Sequence, residues 1–590
     1  MVGRRFAYHR GMDNDAVARA LLELADVLEL GGEAPFRVRA FRNGARAVEG
    51  LGESLVEALK SGGGALEGVP GIGDGVLRRV KELVSTGALR ELEEARAKLP
   101  PGLTELMNVP GMGIKTAQQM WHERGITTLD ALEAAARAGE LASLPRFGKK
   151  KEEKLLAAIT AYRARASAPK RWPMAEALAL AELLCERVRA LPGVLACEYA
   201  GSLRRRRETV GDLDVLVAAS EDATASIMDA WATMPEVAEI LGKGDTKTTV
   251  VLKSGLQADL RVVPKESFGA ALQYFTGSKD HNVAMRTLAV RRGLKVNEYG
   301  VYDTAGNAVA GDTEEAVYEA LGLRWMTPEL RENRGEIEAA KEGSLPRLVE
   351  LGDLRGDLHM HTKETDGAAT IVEMALAAKA KGRSYIAVTD HSQALGIANG
   401  MTPERLREHV KRIRQAEEEA GFRILAGVEA DILADGSLDL VQELGGLDWV
   451  VGSVHSKLDM PKDEMTKRIV RAIESGLIDC VGHITGRLLG GREGSPMDLD
   501  AILEALARVG VAIELNASPL RLDISENGAR MARERGVPVA INSDAHSTRE
   551  LDHLRYGVGI ARRAWLGPEH VLTTKTADEL MAWRKSRRAN

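Results

Sequence analysis

Cysteine is scarce, with only Cys185, Cys197 and Cys480 in 590 residues. An odd number without close spacing argues against a disulfide framework and against a cysteine-ligated zinc site, and it fits a reducing cytoplasm. No stretch of about 18 uncharged apolar residues occurs, so no membrane-spanning helix is expected. The first residues, with Arg4, Arg5, His9 and Arg10, lack the apolar run of a signal peptide, and the expectation is a soluble, cytoplasmic protein. There is no surplus of positive charge either: 80 Lys and Arg stand against 86 Asp and Glu, for a net charge of −6. Any nucleic-acid surface must therefore be local. A single core is excluded by length, and about 150 residues per domain predicts roughly four units.

The chain is organised around Gly201-Ser-Leu-Arg-Arg-Arg-Arg-Glu-Thr-Val-Gly-Asp-Leu-Asp-Val-Leu-Val217. A glycine turn and a basic helical start lead to a strand in which Asp212 and Asp214 alternate with Leu213, Val215 and Val217. Period two puts both carboxylates on one face. Carboxylates this close repel unless a cation lies between them, and oxygen-only ligation favours Mg²⁺ or Mn²⁺. A strand pair, Lys247–Val251 and Gln257–Val263 turning at Lys253-Ser-Gly255, brings a third acid, Asp259, beside them. Three acids can hold two metals about 3.5–4 Å apart, one activating an attacking oxygen and one steadying a leaving phosphate. Gly201, Ser202 and Arg205 offer N–H groups, a hydroxyl and a guanidinium to a triphosphate. Each piece alone reads equally as a surface turn with a solvated arginine run.

In combination these elements resemble the nucleotidyltransferase palm of family X DNA polymerases. The resemblance implies that Asp212, Asp214 and Asp259 are catalytic metal ligands and that Ser202, Arg205 and Gly211 contact the incoming triphosphate. It also implies that Tyr274, Phe275 and Gly277 line a sugar pocket, that Asn282 meets the base edge, and that Arg286 meets the templating strand. An aromatic corner against the ribose would exclude a 2′-hydroxyl by volume; the plainer alternative is an aromatic pair buried in a core. Lys279 stands where animal repair relatives carry an acid.

From Asp13 to about Ala168 the apolar spacing is helical, and Asp13 or Asn14 is the expected first cap. Val69-Pro-Gly-Ile-Gly73, Val109-Pro-Gly-Met-Gly113 and Leu144-Pro-Arg-Phe-Gly148 interrupt it in a repeated manner. A tight Gly-x-Gly turn at a helix N-terminus suits a DNA phosphate without reading a base. Gly71, Gly73, Gly111, Gly113 and Lys115 are the candidates. The first two copies resemble helix-hairpin-helix motifs, and the third, with Arg146 in place of the first glycine, a degenerate copy. Arg37 and Arg39, interleaved with Phe36 and Phe41, are expected to contact a DNA end, unless the phenylalanine face simply packs inward. The first repeat looks like part of the amino-terminal eight-kilodalton domain whose animal relatives form a lysine Schiff base. The matching position is Arg79, which stays protonated and cannot serve; Lys81 lies round the helix and Lys60 is a conceivable substitute.

Nine of the twelve histidines follow residue 350. His359, His361, Asp366, His391, Glu429, His455, His483, Asp544 and His546 stand at or just after successive β-like runs separated by helical stretches. Strand–loop–helix repeats with polar residues at strand C-terminal ends describe a (β/α) barrel with its site on that face, and this ligand set suits Mn²⁺, Zn²⁺ or Fe²⁺. His409, His553 and His570 are expected to be structural. The region resembles the polymerase and histidinol phosphatase (PHP) domain. The resemblance implies a distorted (β/α)7 barrel, three metal ions held by those nine residues, phosphoester hydrolysis, and Arg487 stabilising the phosphorane.

The expected fold is thus multidomain. It comprises an eight-kilodalton-like helical DNA-binding domain (1–95), a fingers-like helical domain (96–170), an α/β palm (171–264), a thumb-like nucleotide-selection domain (265–326), a linker (327–353) holding one helix (Pro328–Glu342) and a turn, and a PHP barrel (354–590). The expected partners are gapped or primer–template DNA and dNTPs, with no membrane, for a monomer. The expected activities are gap-filling DNA synthesis and Mn²⁺-dependent 3′→5′ exonuclease or abasic-site cleavage. The alternatives are a DNA-end phosphoesterase with a weak polymerase half, or a non-enzymatic DNA scaffold.

Overall fold

In the helix Asn14–Leu30, the apolar positions Val17, Ala18, Leu21, Leu24, Ala25 and Leu28 recur at spacings of three and four, and all are buried. The same rule builds the rest of the first 170 residues. The computed structural model describes residues 14–49, 55, 59, 69, 71–107, 109, 111–145, 147–167 and 170–589. They form two compact units, 1–170 with 367–369, and 171–366 with 370–590. Among the described residues the first unit is built of helices joined by turns, with no strand, packed around Leu21, Leu24, Val80, Leu103, Met120 and Ile159. Asp13, Lys60 and Arg146 lie outside the described residues.

The glycine repeats turn the chain from one helix into the next. Gly71 (φ +95°) and Gly111 (φ +85°) take the left-handed conformation that favours glycine. Gly73 and Gly113 then cap the helices Asp74–Thr86 and Ile114–Arg124 without any side-chain cap, leaving first-turn N–H groups outward.

In the second unit, five strands form the palm sheet in the order Val194–Tyr199, Asp212–Ala219, Gln257–Val263, Lys247–Leu252, Val237–Lys243. Only the Asp212 and Gln257 strands run parallel. Helix Met174–Arg189 packs against the sheet through Ala177, Leu178, Ala181 and Leu184. The thumb follows with helices Phe268–Thr276 and Lys279–Arg291.

The segment 327–353 is more ordered than a linker. A single helix over Pro328–Glu342 was the expectation; the chain instead makes a 3₁₀ turn at Pro328–Leu330 and a helix at Glu336–Glu342. Between them Asn333 sits at φ +55°, and the Glu336 carboxylate accepts from the N–H groups of Asn333 and Arg334 at 2.7 and 2.6 Å, which stops the helix from continuing backwards. Arg331 is fully buried, its Nη1 2.5 Å and Nη2 3.1 Å from the Glu314 carboxylate.

The last 235 or so residues close most of a barrel. Strands Gly356–Asp357, Tyr385–Val388, Arg423–Asp431, Trp449–Ser453, Cys480–Val481, Ala512–Asn516 and Val539–Asn542 pair in that order, each parallel to the next. Met360 bridges to Ala545 across the remaining gap. These strands are buried on both faces, as a parallel sheet covered by helices requires. At the C-terminus, helix Ala577–Ala589 packs on this core, with Arg584, Arg587 and Arg588 converging on the buried Asp479. Parallel pairing sends all seven strand C-termini to one side, where the histidines follow.

Candidate functional site

In the palm, the register sets Asp214 directly beside Asp259 and Asp212 beside Gln257. The three acids are thereby gathered on two neighbouring strands. Asp212 is exposed, Asp214 half-buried and Asp259 6 % exposed. Burial, with Asp212 and Asp259 alongside, pushes the Asp214 carboxyl up to about 7. Lys247 Nζ lies 2.5 Å from Asp259 Oδ2, while the buried Oδ1 has no hydrogen-bond partner. Self-repelling acids with an oxygen left unsatisfied fit a divalent cation. Gly201, at φ +65°, is the close neighbour: a Cβ there would stand 2.5 Å from Asp214 Oδ2.

The remaining palm and thumb candidates are distributed around this pair. Ser202 lies in the four-residue helix Gly201–Arg204, Arg205 caps it, and Gly211 is exposed just before Asp212. Arg205 Nε is 3.1 Å from Glu332 Oε1, and its Nη1 donates to the Thr276 carbonyl. Gly277, at φ +69°, makes room for that guanidinium, since a Cβ would come within 3.1 Å of Nη1. Tyr274 and Phe275 meet edge-to-face at 5.2 Å, with the Arg261 guanidinium 4.5 Å from the Phe275 ring centre. Asn282 donates to the Tyr274 carbonyl at 2.7 Å and accepts from Gln273 at 2.9 Å, so its carboxamide is engaged locally. Arg286 is exposed.

In the barrel, all nine expected ligands come together. His361, Asp366, His391 and His546 form one possible metal group, His359, His361 and Asp544 a second, His359, Glu429 and His483 a third, and His391, Glu429 and His455 a fourth. Glu429 stands at the middle: its Oε1 is 2.9 Å from His483 Nε2 and 3.3 Å from His455 Nε2, and its Oε2 lies 2.8 Å from His391 Nδ1. That last approach lacks hydrogen-bond geometry, and His359 Nε2, His361 Nδ1, His391 Nδ1, Glu429 Oε2 and His483 Nδ1 are all buried without a hydrogen-bond partner. Buried polar atoms are ordinarily satisfied, so lone pairs aimed at common points fit metal ions. Electrostatics agree. Burial, with His546 and His391 near, pushes His361 down to about 4; against burial, Glu429 and Asp366 raise His391 to about 9, and His455, His359 and His391 hold Glu429 well below the carboxylate range.

Several supporting residues escaped sequence reasoning. Glu514, on the sixth barrel strand, accepts from His359 Nδ1 at 2.7 Å and from the His483 N–H at 2.7 Å, orienting two ligands as second partners do. Asn516 and Asn542 bond the same carboxylate. An acid inside the apolar run Ala512-Ile-Glu-Leu-Asn516 was the available signal. His409 stands outside these metal groups: it is buried, with Nε2 3.0 Å from Asp390 Oδ2.

The Arg487 guanidinium is already engaged within the fold. Its Nε donates to the Arg521 carbonyl at 2.9 Å, its Nη2 to the Leu522 carbonyl, and Nη2 pairs with Glu208 of the palm at 2.8 Å. The carbonyls of Arg521 and Leu522 thus hold the guanidinium. Arg521 is the cation at the cluster, with Nε 3.8 Å from Asp544 Oδ2.

In the helical unit, Gly71, Gly73, Gly111, Gly113 and Lys115 are exposed. Arg39 is exposed and Phe36 is 72 % exposed, whereas Phe41 is buried. Arg37 is already paired, 2.7 Å from Glu33 and also against Glu91. Arg79 joins the same carboxylate, with Nε 2.6 Å from Glu91 Oε2.

Family models match several stretches of the chain: a helix-hairpin-helix domain at 12–89, tandem helix-hairpin-helix units at 63–120 and 103–160, a DNA polymerase beta thumb at 271–332 and a PHP domain at 357–518. The chain is 38 % identical over 579 residues, 97 % of its length and 100 % of the relative's, to "DNA polymerase/3′-5′ exonuclease PolX" of Bacillus subtilis. It is 28 % identical over 291 residues to rat "DNA polymerase lambda", covering 45 % of this chain and 48 % of that one. A "Probable phosphatase" of Thermoanaerobacter is 32 % identical over 231 residues, 37 % of this chain and 89 % of that one. The paired acids of the palm, the thumb and the barrel with its nine candidate ligands thus stand in one chain whose relative matches over its whole length, and the protein belongs to the bacterial family X DNA polymerases with a C-terminal PHP domain.

Proposed function

We infer that the protein is a DNA repair enzyme with two phosphoryl-transfer sites: a palm that adds a dNMP to a primer 3′ end in short gaps, and a barrel that hydrolyses phosphoesters at DNA 3′ ends or abasic sites. The observation that carries this reading is the completeness of both ligand sets, Asp212, Asp214 and Asp259 in one and nine His, Asp and Glu residues in the other. Mg²⁺ or Mn²⁺ is proposed for the palm and three Mn²⁺ or Zn²⁺ ions for the barrel. When bound, such ions activate an attacking oxygen and stabilise charge on the transferring phosphate.

The chain's own residues do the positioning. Ser202, Arg205 and Gly211 are proposed to hold the triphosphate, Tyr274, Phe275 and Gly277 to bound the sugar, and Asn282 and Arg286 to meet base and template. Engagement of Asn282 requires its bond to the Tyr274 carbonyl to be exchanged for one to the base, a substitution of similar strength. In the barrel Glu514 is proposed to orient His359, and Arg521, beside Asp544, is proposed as the cation that meets substrate phosphate. Residues 1–95 and 96–170 are proposed to hold DNA by its backbone through the glycine turns, with the palm over 171–264, the selecting thumb over 265–326 and the barrel over 354–590. A cytoplasmic monomer is proposed.

A 5′-labelled primer on a one-nucleotide gapped duplex tests the reading, with Mn²⁺ and with or without dNTPs. Asp214→Ala is expected to lose extension alone and His359→Ala to lose shortening alone. Extension unaffected by Asp214→Ala would leave the DNA-end phosphoesterase as the working enzyme.

A further inference from the structure

The arginine run between Ser202 and Gly211 is not held by the palm alone. Arg563, the last residue of the barrel helix Leu554–Arg563 and 3 % exposed, donates from Nη1 to the carbonyl of Arg205. Its Nη2 lies 3.0 Å from Glu332 Oε1, the same oxygen that accepts from Arg205 Nε at 3.1 Å. One turn earlier in that helix, Gly559 abuts Arg206: a Cβ there would come within 3.2 Å of Arg206 Cγ. Arg206 itself takes a left-handed step, φ +57°, at this contact. At the end of the run, Arg487 pairs with Glu208 at 2.8 Å. Behind Arg563, Glu526 accepts from its Nε, from Arg334 at 2.8 Å, and lies 3.8 Å from Arg207.

Four guanidinium groups, Arg205, Arg207, Arg334 and Arg563, thus share two carboxylates, Glu332 and Glu526. Four positive charges less two negative leave two in excess. A partly buried excess of one sign is unfavourable unless an ion of the other sign completes it.

We propose that the barrel completes the nucleotide site of the palm: Arg563 and Arg487 are positioning residues that hold the Arg204–Glu208 loop, and through Glu332 the Arg205 guanidinium, where it receives the triphosphate of an incoming nucleotide. The proposal rests on the reading of Ser202, Arg205 and Gly211 as triphosphate contacts. The guanidinium groups of Arg563 and Arg487 are taken up by protein partners, Arg205, Glu332 and Glu526 for the first and Glu208, Arg521 and Leu522 for the second. Their loss is therefore read in nucleotide affinity rather than in the chemical step.

The test uses the full-length chain in single-nucleotide gap filling with Mg²⁺. The probes are Glu208→Gln/Glu332→Gln, which keeps side-chain shape while removing two charges, and Gly559→Ala, which displaces Arg206 without touching the charges. The double variant adds to the positive excess, which by charge alone would lower KM; because it releases the Arg205 guanidinium and the loop from their anchors, it is instead expected to raise KM for dNTP about tenfold, a loss of one or two charge-assisted contacts. Its kcat should stay within about twofold of wild type, as a change in affinity alone implies. Gly559→Ala is expected to raise KM by a smaller factor, with thermal melting and Mn²⁺-dependent primer shortening unchanged in both. Unchanged KM in both variants, or a fall in kcat at unchanged KM, overturns the proposal. If the double variant melts early, Gly559→Ala alone decides. Extension that survives Asp214→Ala would instead overturn the polymerase reading itself.

Discussion

Gly201 and Asp214 show how tightly the palm is composed. A methyl group at 201 would both overlap Asp214 Oδ2 and sit at φ +65°, so Gly201→Ala must rotate the carboxylate or shift the turn. Misplacement on the order of 1 Å costs about a hundredfold in catalysis. Extension by Gly201→Ala is expected to fall by about that factor, with primer shortening intact, measured on the same gapped duplex. Asp214 also makes a prediction for pH. Burial and its acidic neighbours raise its folded pKa to about 7, above the ordinary value of about 4. The neutral carboxyl is thus favoured by the metal-free fold, and that contribution is present at low pH and lost as pH rises through 7. Asp214→Asn is expected to melt several degrees above wild type at pH 8 in chelator, to lose that advantage at pH 5, and to lose it at pH 8 when Mg²⁺ is added. An equal difference at both pH values would show that charge at Asp214 is not the cause.

The helix-hairpin-helix turns act as units. Each places exposed glycines ahead of a helix whose first N–H groups have no side-chain cap, and Lys115 stands exposed in the first turn of the second. A contact of this kind is made to phosphate and carries no sequence information. Lys115→Ala is expected to weaken binding of gapped DNA equally across sequences and to reduce the slope of log affinity against log salt by about one, as fluorescence anisotropy at graded salt would measure. A sequence-dependent loss would mean that the turn reads bases. These turns were legible because glycine spacing is a local property. Arg37 was not: its type and neighbours fitted a DNA contact, but Glu33 and Glu91 already pair with it, and Glu91 is distant in sequence. The helix expected over Pro328–Glu342 was broken for a comparable reason, since Glu336 satisfies backbone N–H groups outside the helix.

Across the second unit, the two ligand sets depend on different amounts of surrounding structure. The palm acids need one parallel strand pair, whereas the nine barrel ligands need seven strands to converge. Orphaned lone pairs and a carboxylate held ionised among imidazoles should leave the metal-free barrel less stable than the loaded one. Ligand present at a hundred times its Kd adds about 2.7 kcal/mol. Removing metal by chelation is expected to lower the melting temperature of this unit by several degrees, Mn²⁺ to restore it, and His359→Ala to reduce the Mn²⁺-dependent shift. A melt indifferent to chelator would exclude a structural contribution from bound ions.

The palm acids, the glycine turns and the barrel ligands were all readable from the chain, because each motif is a short run whose residues act within a few positions of one another, and because parallel strand–helix repeats bring strand ends to one face. No helix among the described residues is long and apolar enough to cross a membrane, as the absence of apolar runs implied. The partners of arginines were a matter for tertiary structure. Arg487, four residues after His483, read as part of the barrel site; carbonyls at 521 and 522 and Glu208 of the palm hold it elsewhere. Glu514 and Arg521 took the places at the cluster. A guanidinium reaches far from its backbone and pairs with whichever carboxylate or carbonyl the fold presents, and for Arg487 those partners lie 34, 35 and 279 residues away in sequence. Sequence alone therefore determined the candidate ligands and the class of chemistry, while folding decided which carboxylates and carbonyls the arginines meet.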